Sequence, residues 1–436
     1  MKKKAINVGI IGFGTVGAGT SKILLKKRNE LKLKSGFPIV LKKIADLDIK
    51  RDRGIKLSEN ILTNNTKDIL NDPDIDIIVE LIGGIHPAKE IIIEALRKGK
   101  HVVTANKALL AEKGRQIFTE AERNRVDIRF EASVAGSIPI IKIVRESLIG
   151  NSINNIYGII NGTANYILTK MTEEGVDFET VLKEAQALGY AEADPTFDIE
   201  GIDSAHKLTI LAALAFGIPF SFKKVYTEGI TRITPLDIQF ASEFGYKIKL
   251  LAIAKRTGKD IELRVHPTML PEDDLISSVS GVFNAIFVEG DATGDALYYG
   301  RGAGEMPTGS AVVSDIADIA RNMITGAGAR IKGMNVAGNP DVKIKKMEDI
   351  RTSYYLRFSA IDKPGVLSRI SGILSSHNIS IKSMIQKGRK KEKAVPVVMM
   401  THEAREKDMM GALKEIDRLS MVSGRTMYLR VEGDEE

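Results

Sequence analysis

Apolar residues along this chain fall first into short unbroken runs and only later into longer helical spacing. Ala5 to Ile11 is one run bounded by glycines, Ile39 to Ala45 ends in Asp46, Ile75 to Ile82 ends in Gly83-Gly84, and His101 to Thr104 closes the series. Strands buried on both faces of a parallel sheet read this way, because neither face alternates with water. Between the runs lie helical patterns, one through Leu25 and one opening at Pro87, carrying Ile91, Ile92, Ala95 and Leu96 and ending at Gly99. The alternation predicts an α/β fold: a doubly wound parallel sheet with right-handed crossovers and a ligand crevice beyond the carboxyl ends of its strands.

From Ile153 the pattern changes. Helical stretches at Phe178 to Leu188 and Ile202 to Phe216 alternate with apolar runs near Leu250, Leu263 and Phe283, which predicts an α+β substrate and dimerisation domain. GRGAGEMPTG, Gly300 to Gly309, reads as an irregular loop before a helical run from Ala311 to Met323, where the chain is expected to re-enter the first domain. Gly326 to Thr352 mixes glycine and proline with Lys343, Lys345 and Lys346 and reads as an exposed connector. Beyond it, Ser353 to Ile361, Val366 to His377, Ile379 to Ile385, Val395 to Met400, Met409 to Leu419 and Thr426 to Val431 spell βαββαβ, a C-terminal ferredoxin-like module. The expected division is 1–137 with 303–335 for dinucleotide binding, 138–302 for substrate, and 353–436 for the tail.

Composition narrows the function classes. The 436 residues suffice for several domains, and 43% apolar with 27% charged residues excludes disorder and fibrous repeats. The formal charge of +7 comes from scattered lysines and arginines without an interleaved aromatic stripe, so no nucleic-acid partner is expected. The absence of cysteine removes disulfides, thiolate metal sites and cysteine nucleophiles, and the expected location is the cytoplasm. The longest apolar stretch, Leu208 to Pro219, falls short of the roughly 18 to 20 residues of a membrane span, so no membrane role is expected. The basic Met1 to Lys4 opening runs into a short apolar run broken by glycine and is expected to be native structure rather than a secretory signal.

GFGTVG, Gly12 to Gly17, stands between the first strand and the first helix. Gly12 permits the tight turn, Gly14 lets backbone approach a pyrophosphate, and Gly17 lets the helix pack closely. Phe13, Thr15 and Val16 complete the turn, and the helix N-terminal amides face the anion. This Rossmann-type fingerprint predicts NAD or NADP. Asp46 can accept from a ribose 2′-hydroxyl, whereas Lys43, Lys50 and Arg51 could hold a 2′-phosphate, so the reading leans to NAD and leaves NADP open. Gly83 ends the third run, and Thr104, Asn106 and Lys107 lie just past the fourth, where parallel sheets place reactive groups. A lysine there is commonly a solvated helix-start residue, and only context gives it a role.

The segment GYAEADPTFDIEGIDSAHKL holds five carboxylates within twelve residues, Glu192, Asp194, Asp198, Glu200 and Asp203, followed by His206 and Lys207. Asp203 and Lys207 are four apart and share one helix face. Such a pair, when exposed, is worth only about a few tenths of a kcal/mol. Lys207, however, opens the almost wholly apolar Leu208 to Phe216, so this helix is expected to be buried and its charges paired or functional.

Taken in order, GFGTVG, VELIGG, VTANKALLA, EASVAGSIPII, NGTANYIL, LGYAEADPTFDIEGIDSAHK and GRGAGEMPTGSAVVSD resemble homoserine dehydrogenase across residues 5–330. DKPGVLSRISGILSSHNISI, Asp362 to Ile381, resembles an ACT domain. The resemblance implies reversible NAD(P)-dependent oxidation of L-homoserine to L-aspartate 4-semialdehyde, on the route to threonine and methionine. Proton transfer at the C4 oxygen needs an acid/base group within ~3 Å, and Lys207 is the first choice, with Lys107 and Asp203 as its catalytic companions. Lys107 would lower the proton affinity of Lys207 and Asp203 would raise it. Glu192 would accept from the substrate ammonium, with Asp198, Asp203 and Lys107 in the same network. Gly302 and Gly304 would approach the nicotinamide half, and Glu305 the cofactor or the substrate. The resemblance also implies a monovalent cation, sodium, on oxygens of Glu131, Val134, Gly136 and Ile138, in a loop where Ser137 replaces a glycine that many members carry. With the fingerprint a dozen residues from Met1, the form without an aspartokinase region is expected.

A ferredoxin-like tail can sense an amino acid, form a dimer surface, or only add core. A sensor site would lie near Asp362 to Leu367 and Asn378, with threonine as the effector. Such modules pair edge to edge, so a homodimer or homotetramer is expected. Two other classes compete. An ACT-bearing 2-hydroxyacid dehydrogenase would need a His-carboxylate relay, yet only His206 stands in the acidic motif. A non-enzymatic amino-acid-responsive binding protein would leave Lys207 and its carboxylates without a task.

Overall fold

The computed structural model describes residues 5–58, 60–327, 334, 338–339, 341–386 and 394–433. The chain divides into two compact units, one of Met1–Asn154, His206–Lys223 and Asn284–Asp341, the other of Asn155–Ala205, Lys224–Phe283 and Val342–Glu436. The end of the expected dinucleotide domain near residue 335, and part of the expected connector, lie outside the described residues. No described helix is long and apolar enough to cross a membrane.

Six parallel strands form the sheet of the first unit, in the order Leu62–Thr63, Ile39–Ala45, Ile6–Ile11, Ile77–Glu80, His101–Thr104, Ile128–Arg129. This is the doubly wound arrangement. The winding reverses between Ile6–Ile11 and Ile77–Glu80, so the ligand crevice opens above the carboxyl ends of those two strands. On one face Val8, Ile10, Leu41, Ile44 and Val79 bury themselves under helices Thr15–Lys26 and Glu305–Thr325. Helix Ala88–Arg97 packs on strands Ile77–Glu80 and His101–Thr104 and beside helix Lys107–Asn124.

Helix Glu305–Thr325 starts six residues earlier than the glycine-rich sequence suggests, since an irregular loop was expected through Gly309. Pro307 is tolerated because the first turn of a helix has no carbonyl partner for its amides, and Gly304, at φ 124°, supplies the turn into it.

In the second unit a path of seven strands runs Ile153–Ile159, Tyr246–Thr257, Asp260–Pro271, Met427–Val431, Arg351–Ile361, Ala394–Thr401, Ile381–Gln386. The antiparallel hairpin from Tyr246 to Pro271 is paired along its whole length. The last four strands, with helices Val366–Ser376 and Glu406–Ile416, make the expected βαββαβ module, its first strand central and its last beside it. Tyr354, Leu356, Phe358, Ile370, Met409 and Ile416 form its core. Its final strand also lies parallel to Asp260–Pro271, pairing Thr268 with Arg430 and Met269 with Val431. The tail's sheet therefore continues the hairpin's.

Candidate active site

The fingerprint turn has the geometry its glycines predict. Gly12 is left-handed at φ 102°, and a Cβ there would lie 2.6 Å from the Leu81 carbonyl. A Cβ on Gly17 would lie 2.2 Å from the Gly12 oxygen, so only glycine lets the helix sit this close to the turn. At Gly14, by contrast, no atom lies within 4 Å of the Cβ position. Thr15 and Val16 begin helix Thr15–Lys26, and Gly14 and Thr15 are exposed while Phe13 is buried. A cavity of about 510 Å³ lined by Gly12, Gly14, Asp46, Leu47, Ile82 and Pro87 opens here.

Asp46 stands at the end of the second strand, as expected, but it is already engaged. Its Oδ2 accepts from the Phe13 amide at 2.5 Å, and its Oδ1 from the Asp48 amide at 2.8 Å and from Arg53 Nη2 at 3.2 Å. Arg53 also donates through Nε to the Phe13 carbonyl and lies over the Phe13 ring, 4.7 Å from its centre. Lys43, Lys50 and Arg51 were the basic residues expected at this end of the sheet. Arg53 was missed, because a loop arginine eight positions beyond a strand carries no periodic signal.

Glu80 was also missed, although it sits inside the VELIGG motif. It is fully buried at the end of its strand and accepts from Thr104 Oγ1 at 2.6 Å and from the amides of Ile82 at 2.8 Å and Gly83 at 3.2 Å. Burial raises its proton affinity, against the pull of those donors. Thr104 Oγ1 in turn accepts from the Asn106 amide at 3.0 Å, and Asn106 Nδ2 donates to the Gly84 carbonyl at 2.6 Å. Asn106 Oδ1 caps helix Lys107–Asn124 by accepting from Leu109 N at 3.1 Å. One buried carboxyl thus ties the Gly83 loop to the turn that presents Lys107, the half-buried first residue of its helix.

In the returning segment Gly302 is half-buried and Gly304 exposed, and Glu305 Oε1 is paired with Lys22 Nζ at 2.6 Å. Glu131 spends both carboxylate oxygens on backbone amides, Ile141 at 2.9 Å and Lys142 at 3.0 Å, and its own amide donates to Asp315 at 2.8 Å. Burial pushes Glu131 up to about 7 and Asp315 up to about 8. Val134 and Ile138 are buried, and Ala135 and Gly136 between them are both left-handed, at φ 52° and 48°. No group of three or more acidic or histidine side chains among the described residues is placed to hold a metal ion.

The acidic motif separates into exposed and buried parts. Glu192 and Asp194 are exposed, whereas Asp198 is half-buried and Asp203 is 4% exposed. Helix Ile202–Phe216 carries Asp203, His206 and Lys207, and all three are buried, Lys207 at 9% exposure. Asn161, which the sequence offers only as part of NGTANYIL, donates through one Nδ2 to Asp198 at 2.7 Å and to Asp203 at 2.9 Å.

In the tail, a cavity of about 640 Å³ lies against the DKPG turn, lined by Asp362, Lys363, Pro364, Leu367, Gln386 and Val397. Asn378 does not line it. It stands beyond the far end of helix Val366–Ser376, exposed and left-handed at φ 59°.

Three comparisons with known proteins agree with these features. Residues 12–131 match the NAD-binding domain of homoserine dehydrogenase, 139–317 match homoserine dehydrogenase, and 354–420 match the ACT domain. The homoserine dehydrogenase of Pseudomonas aeruginosa is 47% identical over 98% of this chain and 99% of its own. A solved homoserine dehydrogenase from Thiobacillus denitrificans is 48% identical with a TM-score of 0.94, covering 98% of each chain. A hyperthermophilic archaeal homoserine dehydrogenase, solved in complex with NADPH, is 27% identical with a TM-score of 0.62, over 72% of this chain and 98% of its own. With relatives this similar along its whole length, the chain belongs to the homoserine dehydrogenase family.

Proposed function

We propose that the chain interconverts L-homoserine and L-aspartate 4-semialdehyde with a nicotinamide dinucleotide, on the route to threonine and methionine. The observation that carries this reading is the gathering of Asp198 and Asp203 onto one amide, at the start of the buried helix that bears Lys207. Lys207, as the free amine, accepts the proton of the C4 hydroxyl in the oxidation direction and returns it in the reverse direction. Lys107 and Asp203 fix its charge surroundings, and Glu192 and Asp198 bind the substrate ammonium as carboxylates suited to it. When bound, the nicotinamide ring supplies the hydride acceptor. Gly12, Phe13, Gly14, Thr15, Val16, Gly17, Asp46, Gly83, Thr104, Lys107, Gly302 and Gly304 hold the dinucleotide, and Glu305 borders it. A monovalent cation would take backbone oxygens of Glu131, Val134, Gly136 and Ile138. Initial rates with L-homoserine test the activity: reduction of NAD or NADP is expected, and no reduction of either would end the reading.

Asp46 favours the ribose of NAD, while Arg53, paired to it, neutralises its charge and offers a guanidinium to a 2′-phosphate. Both cofactors are therefore accepted, in line with the NADPH held by the archaeal relative. Replacing Arg53 with alanine is expected to raise KM for NADP about tenfold, the worth of one charge-assisted contact, with a smaller change for NAD. Equal changes for both would remove Arg53 from cofactor discrimination.

The tail cavity suits an amino-acid effector, its DKPG turn and helix start offering amides to a carboxylate and Asp362 a charge for an ammonium. Threonine, the pathway product, is expected to inhibit the full chain and to inhibit Asp362→Ala less. A flat threonine titration of the unaltered protein would leave the tail a packing or assembly role, and a homodimer or homotetramer is the assembly this family reading favours.

A further inference from the structure

We infer that Asn161 is a positioning residue: its side-chain amide clamps Asp198 and Asp203 together and so holds the substrate-binding carboxylate in register with the catalytic one. The inference rests on the function proposed above and adds a residue to its site.

Two carboxylates sharing a site repel when both are charged, and the repulsion is relieved by separation, by protonation or by donors between them. Here one –NH2 group donates to both. Asn161 Nδ2 donates to Asp198 Oδ1 at 2.7 Å and to Asp203 Oδ2 at 2.9 Å, using both its hydrogens. The two aspartates reach it from different elements. Asp198 belongs to the short helix Thr196–Ile199, Asp203 to the first turn of Ile202–Phe216, and the left-handed Gly201, at φ 77°, folds one back toward the other. A Cβ on Gly201 would lie 3.1 Å from a Val265 methyl and 3.2 Å from the Thr227 methyl, so the turn packs closely against the sheet.

The clamp is itself held. Asn161 is 5% exposed and its Oδ1 caps helix Gly162–Glu174, accepting from Ala164 N at 2.8 Å, so oxygen and nitrogen cannot exchange places. One turn along that helix, Asn165 Nδ2 donates to the carbonyls of Gly281 at 3.0 Å and Phe283 at 3.2 Å, and Thr169 Oγ1 accepts from Gly281 N at 3.0 Å. Lys249 Nζ fastens the same loop at Val279 O, 2.6 Å away. The amide that spaces the two carboxylates is thus anchored to a braced helix.

The cap and the clamp can be separated by substitution in the full-length protein. Asn161→Ser keeps a capping oxygen and loses both amide hydrogens, its shorter hydroxyl supplying one donor at most, and Asn161→Asp keeps shape and cap but replaces the donors with a third carboxylate. The serine variant is expected to keep the thermal transition of the parent within a few degrees, whereas the aspartate variant, which buries a third carboxylate, should unfold earlier; in both the KM for the dinucleotide should be unchanged. kcat/KM for homoserine should fall about 10- to 100-fold in the serine variant, the cost of a small misplacement of reacting groups, and further in the aspartate variant. If the role were only that of a helix cap, the serine variant would match the parent in kcat and in KM for homoserine, and that result overturns the clamp. An unaltered protein with no activity on homoserine would instead overturn the reading on which the clamp rests.

Discussion

Lys207→Ala is expected to lose about two to four orders of magnitude in kcat with homoserine, the range that general acid–base groups contribute, while binding the dinucleotide nearly as tightly as the parent. The expectation follows from placement. Lys207 is 9% exposed in a helix whose following residues, from Leu208 to Ala213, are almost wholly buried. A lysine is costly in such a setting unless it is paired or carries out chemistry. Alanine is the best helix former, so the helix should survive the change. Methionine, similar in length and without a proton to exchange, is the stricter substitution, since it fills the space the lysine stem leaves. With the dinucleotide placed, as proposed, at the GFGTVG turn and the ends of neighbouring strands, its affinity, measured by fluorescence titration of the reduced cofactor, should stay within about twofold. Turnover close to that of the parent in both variants would take the proton away from Lys207. A joint loss of cofactor binding and turnover would make it a structural residue.

How much of this could be read beforehand depended on whether the cause was local. The parallel sheet was legible because buried strands leave short apolar runs that end in Asp46, Gly83 and Thr104, where the chain must turn into the crevice. The βαββαβ tail was legible for the same reason, its elements matching their apolar spacing to within a few residues. Asn161 was not, since its partners lie 37 and 42 positions away and meet it only because Gly201 turns left-handed. Arg53 escaped because its contacts with Asp46 and Phe13 are made by a loop, where no spacing rule applies. The start of helix Glu305–Thr325 was hidden by glycine and proline, which mark loops in general but are compatible with a first turn. The joining of the tail's last strand to Asp260–Pro271 was beyond reach, because parallel pairing between distant strands leaves no mark in either strand's own alternation.

That joint makes removal of residues 350–436 the most disruptive change expected of this chain, and makes it unsuitable as a test of regulation. Arg264 is wholly buried and donates to Glu432 at 2.5 Å and to Glu262 at 3.3 Å. Arg430, 1% exposed, is held by Glu406 at 2.5 and 2.8 Å and by Glu228 at 3.0 Å, and Arg357 grips the buried Asp237 at 2.6 and 3.0 Å. Cutting the tail away leaves Arg264 short of its nearest counter-charge and Asp237 without its arginine. Breaking one buried pair from one side costs about 3 to 5 kcal/mol, and two such losses rival the stability of a whole domain. The pairs can be tested singly with Glu432→Gln, which keeps the shape and removes the charge. Burial pushes the Glu432 carboxyl up, but Arg264 and Lys255 pull it down further, and it settles below its ordinary value near 4.5. The folded protein therefore holds this proton less readily than the unfolded chain. The stability it contributes is complete above about pH 4.5 and is lost as the pH falls through the lower folded value. The glutamine variant should be less stable than the parent by about 3 kcal/mol at pH 7, and the gap in unfolding midpoint should close as both are acidified below about pH 4.5. Equal midpoints at pH 7 would show that the tail's last strand is held by its backbone pairing and not by this buried charge.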